Sequence, residues 1–233
     1  GAAPMPPEVG ARWEKATGGF FVEGYGMTET SPIVAGTPMG PSRRLGALGL
    51  PFPSTDVRVV DPEDPHPDRE VPDGEPGELL VRGPQVFAGY WEDEAATQAA
   101  ILPGGWLRTG DIVRREDSFL WMADRHRELI LTGGFNVYPS QVEAAIRDME
   151  QVADVAVVGL PAGAAGETVV AGVVLAPGAT LTLEELREHA GRTLPRYALP
   201  RRLEILQELP RSPIGKVMRR LVREEVLRRD ARK

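Results

Sequence analysis

The lysine at position 216 is set apart by the composition of the chain. The sequence contains 24 arginines but only three lysines, and the other two, Lys15 and Lys233, lie near its ends. Lys216 follows Gly215 in the segment RSPIGKVMRR. Its compact ammonium can lie between two anionic oxygens at once, which the broad guanidinium of arginine does less well. We interpret Lys216 as a charge that a glycine turn presents to an anionic site, with a solvated turn lysine as the alternative.

The segment GYGMTETSP carries several groups that suit a flat ligand bearing phosphate. Gly24 and Gly26 let a backbone approach such a ligand closely, and Tyr25 offers a ring to stack on it. Thr28 can hydrogen-bond a phosphate, and Glu29 supplies the hard oxygen that Mg²⁺ prefers. A polar loop with an incidental aromatic ring is the alternative interpretation.

Two later segments, GGWLRTGD and DRHRELILTGGFNVYP, carry groups that suit a sugar, a phosphate or a narrow tunnel. Asp111 ends the first, where its carboxylate can accept hydrogen bonds from both ribose hydroxyls. Arg125 has a planar fork that suits phosphate or ribose, and Gly133 and Gly134 can let a loop lie against a ligand tunnel. The alternatives are a turn aspartate bonded to its own backbone, a surface ion pair and a tight glycine turn.

The first half of the sequence must position these groups on short strands and loops. A helix is predicted from Pro6–Pro7, because proline is tolerated in the first turn. Residues 20–23 (FFVE) predict a short strand, and GYGMTETSP after it predicts a loop. Further strand patterns are TDVRVVD, GELLVRG and a hairpin formed by DIVRR and SFLWMAD.

After Arg125 the pattern changes to a compact α+β module, so we place a domain boundary near residues 124–128. Two helices have the spacing of a capping box, Ser140 with Glu143 and Thr182 with Glu185. Apolar, β-branched runs predict strands at VADVAVVGL, ETVVAGVVLA and RRLEILQEL, and a closing amphipathic helix follows at VMRRLVREEVLRR.

Composition excludes several classes of function. The formal net charge of −7 argues against nucleic-acid binding, which needs a basic footprint. The absence of cysteine excludes disulfides, thiolate zinc sites and a cysteine nucleophile. No apolar run approaches 18 residues, so we expect no transmembrane segment and a cytoplasmic protein. Lipid contact by the basic face of the last helix is an alternative to a solvated face with Arg–Glu pairs.

The motifs, taken in order, resemble those of the adenylate-forming enzymes, specifically the acyl-CoA synthetases (fatty-acid–CoA ligases). The segments that carry the resemblance are GYGMTETSPI, GELLVRGPQVFAGYW, GGWLRTGDIV, DRHRELILTGGFNVYP and LPRSPIGKVMRR. It implies an α+β fold in which residues 1–124 end a large, mostly β N-terminal domain. Residues 125–128 would then be a hinge and residues 129–233 a small, mobile α+β domain.

The resemblance also implies a reaction and roles in it. A carboxylic acid, here of medium or long chain, would react with ATP to an acyl-adenylate, and coenzyme A would then displace AMP. Tyr25 would stack on adenine, Thr28 would contact the α-phosphate, and Glu29 would hold Mg²⁺. Asp111 would bind the ribose hydroxyls, and Arg125 would contact ribose or phosphate.

Further roles implied by the resemblance concern the second half of the chain. Lys216 would bridge the carboxylate and the α-phosphate during adenylation. The small domain would turn at Arg127, where the family usually has lysine or aspartate. That turn would withdraw Lys216 and bring Gly133 and Gly134 to the pantetheine tunnel.

One departure from the family is the missing phosphate loop, a run rich in Ser, Thr and Gly that ends in proline–lysine–glycine. We therefore expect this chain to be a C-terminal fragment that alone neither hydrolyses ATP nor makes a thioester. An adenylation domain that loads a carrier protein is an alternative, although such domains usually read NGK where this chain has IGK. A non-catalytic remnant acting as an interaction module is a third interpretation.

Overall fold

The computed structural model describes residues 7–125, 128–163, 166–213 and 215–230. The chain divides into two compact units, Gly1–His126 and Arg127–Lys233. This division falls inside the segment 125–128 that the sequence predicts as a hinge. Arg127 and the side chain of Arg125 lie outside the described part of the structure, so the hinge stays a prediction.

In its described residues, the first unit contains two antiparallel sheets and two short α-helices. Helix α1 spans Pro7–Thr17, which confirms the helix predicted after the proline pair. One sheet has the order β1-β2-β3, with β1 Gly24–Gly26, β2 Ile33–Gly36 and β3 Leu50–Pro51. The other contains β4 Asp56–Val60, β5 Gly77–Arg82, β6 Ile101–Leu102, β7 Trp106–Glu116 and β8 Phe119–Arg125, with α2 (Glu94–Ala100) before β6. Strand β7 pairs with β5, β6 and β8.

The strand predicted at residues 20–23 is wrong, because the strand begins only at Gly24. Phe20 and Val22 remain about half exposed, whereas Tyr25 is only 8% exposed and pairs with Ala35 of β2. The position of β1 is therefore determined by the burial of the Tyr25 ring and by pairing with β2. The β propensity of FFVE contains no information about either of these. Part of the predicted loop GYGMTETSP is thus strand β1, and a 3₁₀ turn follows at Thr28–Thr30.

The second unit contains a three-stranded sheet between two layers of helix, together with a small hairpin. The hairpin strands are β9 Ile130–Thr132 and β10 Phe135–Val137. The sheet contains β11 Val152–Pro161, β12 Glu167–Leu175 and β13 Arg202–Ile205, with β11 antiparallel and β13 parallel to β12. The helices are α3 Pro139–Arg147, α4 Leu183–Ala190 and α5 Arg219–Asp230.

Side chains of β11 alternate between the two faces of this sheet. Val155 and Val157 belong to the core cluster that includes residues of α3 and α4. Ala156 and Val158 belong to the cluster formed with α5. The period of two places each side chain on the face opposite to its neighbour, so a strand covered on both faces is apolar throughout. The mixed α+β class predicted from the sequence is confirmed in both units.

Only one of the two predicted capping boxes forms. Thr182 caps α4, and the Glu185 carboxylate accepts a hydrogen bond from the Thr182 backbone N–H. Helix α3 instead begins after Tyr138 with Pro139 in its first turn, and its N-cap side chain makes no capping bond. The Glu143 carboxylate is buried and accepts hydrogen bonds from the Val157 N–H (2.8 Å) and from Arg219. Tertiary partners therefore displace the local motif at α3.

Candidate functional site

Tyr25 and Asp111, which are 86 positions apart in the sequence, are joined by a direct hydrogen bond. The Tyr25 hydroxyl donates to Asp111 Oδ2 at 2.7 Å, and both side chains are more than nine-tenths buried. Tyr25 lies on β1 and Asp111 on β7, so two different sheets supply this pair. The geometry combines an aromatic ring with an oriented carboxylate, which can accept about four hydrogen bonds in total.

Asp111 is presented by a bulge in the sheet. Glu78 pairs with Ile112 and Leu80 pairs with Arg108, so residues 109–111 of β7 face the single residue Leu79 of β5. Gly110 in this bulge has a φ of +67°, a conformation that glycine adopts without steric cost. Bulges locally re-aim side chains and recur next to functional sites.

Arg125 lies beside Asp111 in the backbone ladder. The two residues are directly paired between the antiparallel strands β7 and β8. The structure thus brings together Tyr25, Asp111 and the backbone of Arg125, three of the residues that the sequence singled out separately. The role of the Arg125 side chain stays a prediction.

Thr28 and Glu29 occupy the short 3₁₀ turn that follows β1. Thr28 is exposed, and Glu29 Oε1 accepts a hydrogen bond from the Tyr90 hydroxyl at 2.9 Å. The Phe87 N–H donates to the Glu29 carbonyl at 2.8 Å, which ties the turn to the segment after β5. Sequence reasoning missed Tyr90, although its place in the motif GPQVFAGYW was the available signal.

Packing within the protein itself requires glycine at position 26. A Cβ atom at Gly26 would lie 1.6 Å from the Pro32 carbonyl oxygen, so no side chain fits there. At Gly24 a Cβ atom would meet the flexible end of Ile33 at 3.2 Å, a milder conflict. Close packing within the β1–β2 hairpin therefore explains Gly26, and approach of the backbone to a ligand stays a prediction for both glycines.

Glu29 is the acidic side chain in which the sequence predicts a ligand for Mg²⁺. Within the described ranges, no three His, Asp or Glu side chains cluster closely enough to hold a metal ion. Mg²⁺ is commonly bound through one or two carboxylates plus substrate phosphates, with its other positions filled by water. The Glu29 carboxylate therefore fits a magnesium ion that arrives with a polyphosphate rather than a metal centre built by the protein.

Lys216 lies in the second unit, at the end of a tight turn that contains Gly215. The Gly215 N–H donates to the Ser212 carbonyl (2.8 Å), and the Ser212 N–H donates to the Lys216 carbonyl (2.8 Å). Gly215 has a φ of +82°, and the Lys216 side chain is exposed. The glycine turn predicted from the sequence is confirmed, whereas the anionic partner of the ammonium stays a prediction.

Gly133 and Gly134 form the turn of the β9–β10 hairpin, also in the second unit. Both have positive φ values, +58° and +81°, and no atom would contact a Cβ at either position. Beside this turn the rings of Phe135 and Tyr197 are stacked 4.4 Å apart. The two glycines are therefore needed for backbone conformation, and their place in a tunnel stays a prediction.

Comparison with known proteins identifies this two-part arrangement as that of adenylate-forming enzymes. Residues 1–91 match the family model of the AMP-binding enzymes, and residues 141–216 match that of the AMP-binding enzyme C-terminal domain. The chain belongs to the AMP-binding enzyme family, as its motifs predicted.

Among curated relatives, long-chain-fatty-acid–CoA ligases are similar over almost the whole chain. The ligase of Escherichia coli O6:H1 (strain CFT073) is 44% identical over 97% of this chain and 39% of its own length. That of Bacillus subtilis (strain 168) is 41% identical, again over 97% of this chain, and 40% of its length is covered. The chain thus spans about two fifths of the length of these relatives.

Solved structures give the same fold. ATP-bound MatB from Rhodopseudomonas palustris superposes with a TM-score of 0.86 at 34% identity, over 96% of this chain and 44% of that protein. The o-succinylbenzoate CoA synthetase of Bacillus subtilis, in complex with its acyl-adenylate intermediate, gives a TM-score of 0.77 at 28% identity, over 95% of this chain and 44% of its own. Among the described residues, no helix has both the length and the apolar character needed to cross a bilayer.

Proposed function

We propose that the protein containing this chain is an acyl-CoA synthetase that activates a medium- or long-chain fatty acid. It joins the acid to ATP to give an acyl-adenylate and pyrophosphate, and then transfers the acyl group to coenzyme A. The bond between Tyr25 and Asp111 carries this proposal, because it holds a ring suited to adenine and a carboxylate suited to ribose at one point. The names of the long-chain-fatty-acid–CoA ligases support the choice of acid and thiol.

The nucleotide would be held mainly by residues of the first unit. The Tyr25 ring stacks on adenine while its hydroxyl keeps Asp111 oriented, and Asp111 accepts hydrogen bonds from the ribose hydroxyls. Thr28 contacts the α-phosphate, and Arg125 contacts ribose or phosphate. Glu29, oriented by Tyr90, ligates Mg²⁺, which when bound offsets the negative charge of the phosphates.

Adenylation requires a carboxylate to attack a phosphate that carries the same sign of charge. A carboxylate oxygen of the fatty acid forms a bond to the α-phosphorus, and the bond from that phosphorus to the pyrophosphate oxygen breaks. The ammonium of Lys216 lies between both anions and stabilises the charge as it redistributes. The turn that contains Gly215 fixes the backbone from which this side chain extends.

Thioester formation would use other residues of the second unit. The thiol of coenzyme A loses its proton to water, its sulfur forms a bond to the acyl carbonyl carbon, and the bond from that carbon to the phosphate oxygen breaks, so that AMP leaves with the electron pair. Rotation at Arg127 withdraws Lys216 and brings Gly133 and Gly134 to the pantetheine arm. A turn without side chains lets the backbone lie close to this narrow group.

Lys216→Met in the intact parent protein tests the proposal. The full-length wild type is first screened for pyrophosphate exchange with carboxylic acids of graded length. With the best acid, we expect Lys216→Met to lower exchange at least about 100-fold, since it removes a preorganised charge from the transition state. Thioester formation from added acyl-adenylate should persist, because that step no longer needs the ammonium.

Lys15→Met is the matched control, since Lys15 is exposed on α1 and lies outside every motif. It should exchange pyrophosphate like the wild type. Undiminished exchange in Lys216→Met, or a wild type that activates none of the acids, would contradict the proposed function.

A further inference from the structure

The carboxylate of Glu78, on the neighbouring strand, is hydrogen-bonded to the main chain of the bulge that presents Asp111. Glu78 is 1% exposed and accepts two hydrogen bonds from Arg108, from Nε at 3.1 Å and from Nη2 at 2.7 Å. Its Oε1 also accepts the Gly110 N–H at 3.3 Å. One buried carboxylate therefore contacts Arg108, directly before the bulge, and Gly110, directly before Asp111.

A second set of bonds closes the same bulge. The Thr109 hydroxyl donates to the Leu79 carbonyl at 2.8 Å and accepts the Asp111 N–H at 3.1 Å. Together with Glu78, this hydroxyl bonds the main chain of the bulge at Gly110 and Asp111 and the main chain of Leu79 on the facing strand. The main chain on both sides of Gly110 is thus held in place, up to the residue whose carboxylate receives the Tyr25 hydroxyl.

The burial of Glu78 is difficult to explain by stability alone. Removing a carboxylate from water costs several kcal/mol, and a buried ion pair is on average no better than an apolar pair of similar volume. Arg108 also keeps about a third of its side chain exposed, which weakens the attraction through screening. A positioning function gives a reason for a charge at this place.

We propose that Glu78 is a positioning residue for ribose recognition: its carboxylate locks the 109–111 bulge and thereby fixes the direction in which Asp111 points. Glu78 acts through Asp111 and does not itself touch the nucleotide. The inference rests on the proposed function, in which Asp111 binds the ribose hydroxyls.

The test compares ATP with 2′-deoxy-ATP in the full-length protein carrying Glu78→Gln. The amide keeps the size of the side chain but loses the charge that orients Arg108 and strengthens the bond to Gly110. We expect KM for ATP to rise about tenfold with little change in kcat. The preference for ATP over 2′-deoxy-ATP, measured as a ratio of kcat/KM, should fall about tenfold as well.

The same loss of ribose preference is expected in Asp111→Asn, and the double variant should lose little more than either single one. Such non-additivity indicates that the two residues act as one unit. Asp56→Asn is the matched control, because it breaks an exposed ion pair with Arg82 between neighbouring strands of the same sheet. It should leave the preference unchanged.

A direct readout does not depend on activity. Amide hydrogen exchange at Gly110 and Asp111 should accelerate at least tenfold in Glu78→Gln and remain unchanged in Asp56→Asn. If Glu78→Gln fails to fold, Glu78→Asp replaces it, since it keeps the charge and shortens the reach by one methylene.

The outcomes separate the two proposals. An unchanged ribose preference and unchanged amide exchange in the Glu78 variant would overturn the positioning role while leaving the proposed function intact. A wild type that activates no acid would overturn the proposed function, and the amide-exchange result would still decide whether Glu78 locks the bulge.

Discussion

The Tyr25 side chain makes two contributions, one through the packing of its ring and one through the hydrogen bond of its hydroxyl. Tyr25 belongs to the apolar core cluster of the first unit, together with valine and leucine side chains, while its hydroxyl reaches the buried Asp111. A phenylalanine would preserve the packing and the stacking surface but leave the Asp111 carboxylate without this donor. The two contributions can therefore be measured separately.

Tyr25→Phe tests the orienting contribution. A hydrogen bond to a charged group contributes about 1.5–3 kcal/mol, so we expect KM for ATP to rise about tenfold or more in the pyrophosphate-exchange assay. The free energy of unfolding should fall by a similar energy because a buried carboxylate loses a partner. Tyr25→Leu, which also removes the ring, should raise KM further, and equal KM values for the two variants would contradict a stacking role.

The two predicted capping boxes show when the sequence alone predicts the start of a helix correctly and when it does not. Thr182 and Glu185 pair as their spacing predicts, whereas Glu143 bonds with Val157 and Arg219 instead of with Ser140. Local spacing is decisive where a helix end is exposed, because nothing else competes for the carboxylate. Where the helix start is buried, partners from distant strands and helices determine the outcome, and a local pattern does not contain them.

Thr182→Ala tests the box that does form. Hydrogen bonds from the Thr182 backbone and hydroxyl lower the pKa of Glu185 below its ordinary value of 4.5. Because the pKa is lower in the folded state, this stabilisation is present above pH 4.5 and is lost as the pH falls through the lower folded-state pKa.

We expect Thr182→Ala to cost about 1 kcal/mol of unfolding free energy at pH 7, the usual loss for an N-cap. The difference from the wild type should shrink as the pH is lowered towards 3, measured by urea denaturation. Ser140→Ala is the comparison at α3, where no box forms, and it should show no such pH dependence. A constant difference for Thr182→Ala across this range would show that the carboxylate takes no part.

Prediction of the site from the sequence was limited by contacts between distant segments. Tyr25 and Asp111 were each recognisable by residue type and motif, but no pattern in either segment shows that the hydroxyl of one meets the carboxylate of the other. Glu78 was treated as part of a strand pattern, because the bulge depends on a register between β5 and β7. Residue identities therefore allow a prediction of what each side chain can do, whereas the sheet topology determines which of these side chains meet.

At the scale of the whole molecule, the division of the chain coincides with the predicted hinge. Arg127→Pro should restrict rotation there because proline fixes φ near −65°. We expect it to slow thioester formation at least tenfold in the full-length protein while pyrophosphate exchange stays within about twofold of the wild type. Arg127→Ala removes the same charge without restricting the backbone, and it should behave like the wild type. Equal loss of both half-reactions in Arg127→Pro would contradict a hinge.

The division into two units also places the tryptophans of the chain on one side of the boundary. All four tryptophans, at positions 13, 91, 106 and 121, precede the boundary after His126. Trp106 is buried, with the guanidinium of Arg82 4.6 Å from its ring centre, whereas Trp91 is almost fully exposed. Indole fluorescence of this chain therefore reports on the first unit alone, because the second unit contains no tryptophan. A single tryptophan introduced after residue 128 would give each half its own optical signal.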